Sequence, residues 1–265
     1  MSTFVEWIPI VIFIGLPATF IATYIWSVCL DHVYPVLPNI SDTGTIPPES
    51  CLFSMMLNMT AAALLFAIYV RHKQVVEIFR SKTPAKCAKL VNRVSSISGL
   101  VACVGLDLVA NFQETNVLIV HDLGAMICFW SSAVYIVLQV ILSYWIVPEM
   151  HGMVMVIIRG IQGMSAVTFL ILGLITQNIA LSQFGPKQAN NTEILQWKPS
   201  EPGWEWHVAS SVCEWSVVLT FGSFILTFYW DFKKITLYAP ELELVEGETD
   251  EQDGVQVKTF RSLGS

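Results

Sequence analysis

The sequence predicts an all-α polytopic membrane protein with six transmembrane helices and both termini in the cytosol. Three observations carry this: six long apolar segments, a composition too apolar for a water-soluble fold, and positive charge gathered on one side of the segments. No charged residue occurs between Glu6 and Asp31, Glu49 and Arg71, Asp122 and Glu149, Arg159 and Lys187, or Glu214 and Asp231. Val94 to Gln113 carries only Asp107. A helix needs about 20 mostly apolar residues to cross a hydrocarbon core of roughly 30 Å. The ten-residue alternation of a strand barrel is absent. A hydrophobic content of 54% against 13% charged residues in 265 points the same way.

The spans are expected at about 9–29, 51–70, 94–113, 118–146, 154–180 and 208–230. They form one transmembrane domain, 1–238, followed by an acidic, disordered cytosolic tail, 239–265. The tail, from Glu241 to Asp253, supplies much of the net charge of −7. The first span has no basic flank or small-residue cleavage site, so it reads as a retained helix rather than a removable signal.

Lys and Arg in the connections set the orientation. Loop one, His32 to Ser50, has none, whereas the connection after span two has Arg71, Lys73, Arg80, Lys82, Lys86, Lys89 and Arg93. These charges hold their loop in the cytosol, and they also suit anionic lipid; Val75, Val76, Ile78 and Phe79 among them suggest an interfacial amphipathic turn. On the opposite side, Pro35, Pro38, Pro47, Pro48 and Asp42-Thr43-Gly44 predict a loop one built of turns. In the loop from Gln183 to His207, Trp197, Trp204 and Trp206 are expected at the headgroup layer.

Charged side chains near a span centre cost about 2.5–3.5 kcal/mol on insertion scales, so they should face protein or water. Asp107, Asn111, His121, Asp122, His207 and Glu214 all fall in the non-cytosolic half, where Asp42, Thr43 and Glu49 of loop one can cover them. Three readings of this group compete. It is an interhelical hydrogen-bond network, a pocket for a lipid headgroup, an amine or protons, or a metal-dependent lipid hydrolase site. Metal sites usually show tight His/Cys spacing, and none occurs here. No phosphate-binding Gly-rich loop or Gly-x-Ser-x-Gly elbow is present either. No catalytic residue, metal or cofactor is expected, and no basic surface suits nucleic acid.

Cys29 and Cys51 end adjacent spans, within the scope of a disulfide closing loop one, although sequence gives no distance between them. Asn39-Ile40-Ser41 and Asn190-Asn191-Thr192 fit the glycosylation pattern in non-cytosolic loops, with Asn190 the better acceptor. Asn58-Met59-Thr60 fits it inside span two and should stay bare. Gly160, Gly163 and Gly173 suggest close packing by span five.

Several strings resemble the damage-regulated autophagy modulator (DRAM) family: Pro38 to Phe53, Ala110 to Glu114, His121 to Ala125, Ser143-Tyr144, Trp197 to Pro199, Cys213 to Trp215 and Leu226 to Phe232. The resemblance runs in register over roughly residues 10–238, with departures at Asn39, where an aromatic is common, and in the long acidic tail. It implies a non-enzymatic, multi-pass protein of lysosomal or endolysosomal membranes that promotes autophagy and, in some members, cell death. The plasma membrane is the alternative location. The implied partners are membrane lipids and other membrane proteins of the autophagy or lysosomal machinery. The wider superfamily implies an alternative role in binding, transporting or remodelling lipids.

Overall fold

A computed structural model describes residues 4–80, 86–185 and 191–238 of the chain. The tail 239–265, Lys82, Lys187 and Asn190 lie outside the described residues. The helices are α1 (Trp7–Cys29), α2 (Glu49–Ile78), α3 (Lys86–Asn111), α4 (Glu114–Trp145), α5 (Met153–Phe184), α6 (Asn191–Ile194), α7 (Trp204–Leu226) and α8 (Phe228–Phe232). Short 3₁₀ turns, Phe4–Glu6 and Asp42–Gly44, complete the secondary structure of the described residues. Six helical segments are long and apolar enough to cross a membrane, with α7 and α8 together forming the sixth.

These helices are stable in a bilayer because each satisfies its backbone hydrogen bonds internally. Only 28% to 39% of each apolar span window is buried, so every span also turns apolar side chains outward. Val11, Ile14, Met59, Val104, Ile119, Ile157 and Met164 are examples of this lipid-facing belt.

The spans form a ring. Each packs on its neighbour in the chain, α7 on α5, and α7 closes back on α1. The start of α1 and the end of the sixth span, α8, meet on one side, the terminal face, where Val5 shares a core cluster with Phe228 and Phe232. The other side, the capped face, carries loop one and the α5–α7 connection.

The tightest backbone approach joins α3 to α4. A Cβ on Gly105 would sit 2.4 Å from the Cys128 nitrogen, and one on Gly124 would sit 2.7 Å from the Leu108 Cβ. Of the glycines expected to pack closely, Gly163 meets Ile136 and Gly173 meets Cys213, but Gly160 has nothing within 4 Å. Gly203 is required for a different reason: its φ is 81° and a Cβ would lie 2.5 Å from the Ala180 carbonyl oxygen.

Three expectations change. The residues Val75 to Ile78 are not an interfacial turn, because α2 continues through them and buries Val75 on Leu142 and Ile146. Trp197 is 1% exposed, wedged between the rings of Phe184 (4.2 Å) and His207 (4.6 Å), while Trp206 does face outward. Its burial follows from two ring partners and an Nε1–H donated to the Pro202 carbonyl, which an interfacial position would forgo. Cys29 and Cys51 are free and exposed, so no disulfide joins them here.

Candidate functional site

Loop one is tied to four spans at once. From α1, Thr23 exchanges a hydroxyl hydrogen bond with Thr43 (3.0 Å), and the Tyr24 hydroxyl donates to the Pro35 carbonyl. From α7, Ser211 donates to the Asn39 amide oxygen (2.7 Å), and Trp215 Nε1–H donates to the Pro38 carbonyl. At the start of α2, Glu49 is 1% exposed and bonded to His32. On α4, Thr115 pairs with Thr45. The loop therefore forms a fitted cap rather than a tether.

Carboxyl groups gather beneath it. Ser41 donates to Glu114 (3.0 Å), and the Ile40 N–H donates to Glu214 (3.2 Å). The non-helical backbone at Val117 sets off the first turn of α4, which carries Glu114. His121 is held by the Phe112 carbonyl at 2.7 Å from its Nδ1, which leaves Nε2 3.9 Å from Glu114. Asp42 accepts the Asn39 N–H and faces Glu114. Burial raises its carboxyl well above the usual carboxylate range. The charge and hydrogen bond of Glu114 and the charge of Glu214 add to the rise, and the Asn39 N–H opposes it.

Below this group the ring encloses a cavity of about 540 Å³. Leu16, Leu57, Leu106, Phe129, Leu170 and Val217, one from each span, give it apolar walls. Its outer end is lined by Asn39, Ser41, Glu114, His121, Asp122 and Glu214, and Tyr135 belongs to its inner part.

A second polar cluster lies at the terminal face. Asp231 is 0% exposed and receives Arg71 from α2 (2.9 Å) and Arg159 from α5 (2.8 Å) on one oxygen, Oδ2. His151 meets its other oxygen at 2.9 Å and the Ser143 carbonyl at 3.1 Å. Arg71 also donates to Gln74 and Gln139, and Arg159 to Thr227 and Ser143. Both guanidinium groups lie about 5 Å from the Phe228 ring centre, at 5.0 Å and 5.1 Å. Buried ions persist only when most donors and lone pairs are used in this way; Arg71 Nη2 is buried here without a partner. The cluster locks α2, α4, α5 and α7–α8 at one end of the ring.

The expected site residues separate into groups. Asp122, His121 and Glu214 line the outer end of the cavity, Asp42 faces Glu114 beside them, and Thr43 and Glu49 belong to the cover. Asn111 instead exchanges two side-chain hydrogen bonds with Asn58 on the α2–α3 seam, and the backbone oxygen of Asp107 accepts from it. His207 is buried against Trp197 in the cap. Among the described residues no group of three or more His, Cys, Asp or Glu side chains is placed to hold a metal ion. Glu114 and the whole Asp231 cluster were not singled out from sequence.

The signature of the Frag1/DRAM/Sfk1/Cwh43P N-terminal domain matches residues 4–235. Mouse DNA damage-regulated autophagy modulator protein 2 (Mus musculus) is 39% identical over 228 residues, covering 83% of this chain and 80% of that protein. Human DNA damage-regulated autophagy modulator protein 1 (Homo sapiens) is 37% identical over 221 residues, covering 83% of this chain and 87% of that one. The chain belongs to the Frag1/DRAM family. No solved structure matches it.

The strings that carried the DRAM resemblance build both polar clusters. Pro38 to Phe53 is the cap, Ala110 to Glu114 and His121 to Ala125 hold Glu114 and His121, and Cys213 to Trp215 holds Glu214. Ser143 and Asp231 come from the two strings that meet at the terminal face. The family resemblance thus falls on the two ends of the helical ring in this DRAM-family protein.

Proposed function

We propose that this chain is a non-enzymatic modulator of autophagy, and in some settings of cell death, acting from the lysosomal or endolysosomal membrane. The observation that carries the autophagy reading is its 39% identity to a protein named as an autophagy modulator, across most of both chains. The capped face supports an acidic compartment. Asp42 of loop one crowds against Glu114 and Glu214, and their mutual repulsion falls when protons are abundant. In this orientation the terminal face, with Arg80, Lys86, Lys89 and Arg93 near it, is cytosolic. Membrane lipids and membrane proteins of the same machinery are the partners this placement offers.

A second reading, a lipid-binding protein, is favoured by the cavity, which a purely structural bundle would fill. The test of the main reading is autophagic flux, measured as lysosomal delivery of a cytosolic reporter, in cells lacking the chain. Flux should change and be restored by re-expression. Unchanged flux would remove the autophagy reading.

A further inference from the structure

We propose that the cavity binds a long-chain amphiphile bearing a protonated amine, admitted sideways from the bilayer between α4 and α5. This rests on the lipid-binding reading above and narrows it to one chemical class.

The shape comes first. At about 540 Å³ the cavity matches sites that hold small organic ligands. Along α4 its lining runs from His121 to Ile136, a length of about 20 Å at the helical rise per residue. Its walls between these ends are mostly apolar, so it suits an extended hydrocarbon chain rather than a compact solute.

The side opening follows from four residues. Met126 and Trp130 of α4, and Leu174 and Asn178 of α5, line the cavity and are also exposed on the outer surface. Nearer the terminal face the same two helices close up, where Gly163 packs on Ile136 and Val140. The gap therefore lies in the half of the membrane nearest the acidic groups. A lipid in that leaflet reaches the cavity without its chain crossing water.

Charge selects the headgroup. Glu114, Asp122 and Glu214 line the outer end, and Asp42 faces Glu114. Among the described residues no Lys or Arg lines the cavity, and His121 is the one basic side chain in its lining. A carboxylate or phosphate headgroup would meet like charge at low dielectric, whereas an ammonium is attracted to these carboxyl groups.

Unpaired groups in the lining are independent of that count. The Gln177 side-chain oxygen, in the outer half of α5, is buried with no hydrogen-bond partner and accepts what an ammonium donates. Tyr135 is 4% exposed, and its hydroxyl is also buried without a partner. Buried polar groups rarely stay unpaired in a finished site.

The test uses the full chain in phosphatidylcholine nanodiscs and three photo-crosslinking probes with one long alkyl chain: a primary amine, an alcohol and a carboxylic acid. The amine should label peptides of α4 and α5 that line the cavity at least several-fold more than the alcohol, and the acid least. Asp122→Asn combined with Glu214→Gln should bring amine labelling down to the alcohol level. Ala125→Phe, which fills the cavity, should remove labelling by all three. Equal labelling by amine and alcohol, or stronger labelling by the acid, overturns the amine assignment while leaving lipid binding in place. No cavity labelling by any probe overturns both. If a variant fails to fold, the three probes on the unaltered chain decide the question alone.

Discussion

Ile40 donates its backbone N–H to Glu214 across 3.2 Å, joining a residue of loop one to a carboxylate inside α7. The bond explains how an acid within an apolar span is tolerated. Loop one brings a donor to it, and Ser211 and Trp215 on the same helix hold the loop in place. Glu214→Gln keeps an acceptor oxygen for Ile40, so thermal stability in detergent should change little. Glu214→Leu leaves the N–H buried and unpaired and should cost about 1–3 kcal/mol. Equal melting temperatures for the two variants would contradict the bond's role.

Asp42 makes the cap pH-sensitive in a definite direction. Its folded-state carboxyl titrates above the ordinary value of 3.8. Between the ordinary and the raised value, the closed loop holds a proton that the opened loop releases, so closure weakens as pH rises through that window. Hydrogen exchange of amides 39–45, corrected for intrinsic rates, should show stronger protection near about pH 5 than near about pH 7.5. Asp42→Asn should flatten that difference. Protection that grows with pH would refute the assignment.

The terminal-face cluster predicts a larger loss. Asp231→Ala strands two buried guanidinium groups and should destabilise the bundle by about 3–5 kcal/mol, read as a lowered melting temperature and poor monodispersity. Trp230→Ala, at a neighbour that is 49% exposed, should be mild. Matching losses in the two variants would show that the ion cluster is not what holds this end together.

How far sequence reached follows from the same residues. The spans were legible because charge-free runs of this length have one use in a chain this apolar. Glu214, His121 and Asp122 were legible because each is polar within an apolar span. Arg71 and Arg159 were not, because each bounds a charge-free run near the cytosolic end of its expected span, where a charge facing water and one folded inward look alike. Asp231 was not either, because it directly follows the expected sixth span, 208–230. Nor could spacing show that Asn111 turns to Asn58, since depth in the membrane does not give the angular position of a helix face.

Glycosylation separates the two acceptor asparagines. The Asn39 side chain is engaged with Ser211 and lines the cavity, so a glycan there would displace the cap. Asn190 should carry the sugar instead. Peptide N-glycosidase should shift the mobility of the unaltered chain and of Asn39→Gln, but not of Asn190→Gln. The reverse pattern, or no shift in a eukaryotic host, would contradict this.

Lysosomal location and the orientation of the two faces are tested together by asking which compartment each face meets. Intact lysosomes should be isolated from cells expressing the chain with one epitope at residue 250 and, separately, with one at residue 190. The chain should be recovered with the lysosomes. External protease should remove the epitope at residue 250, while the one at residue 190 survives until detergent opens the membrane. Absence of the chain from lysosomes, or digestion of the residue 190 epitope in intact organelles, would contradict this placement.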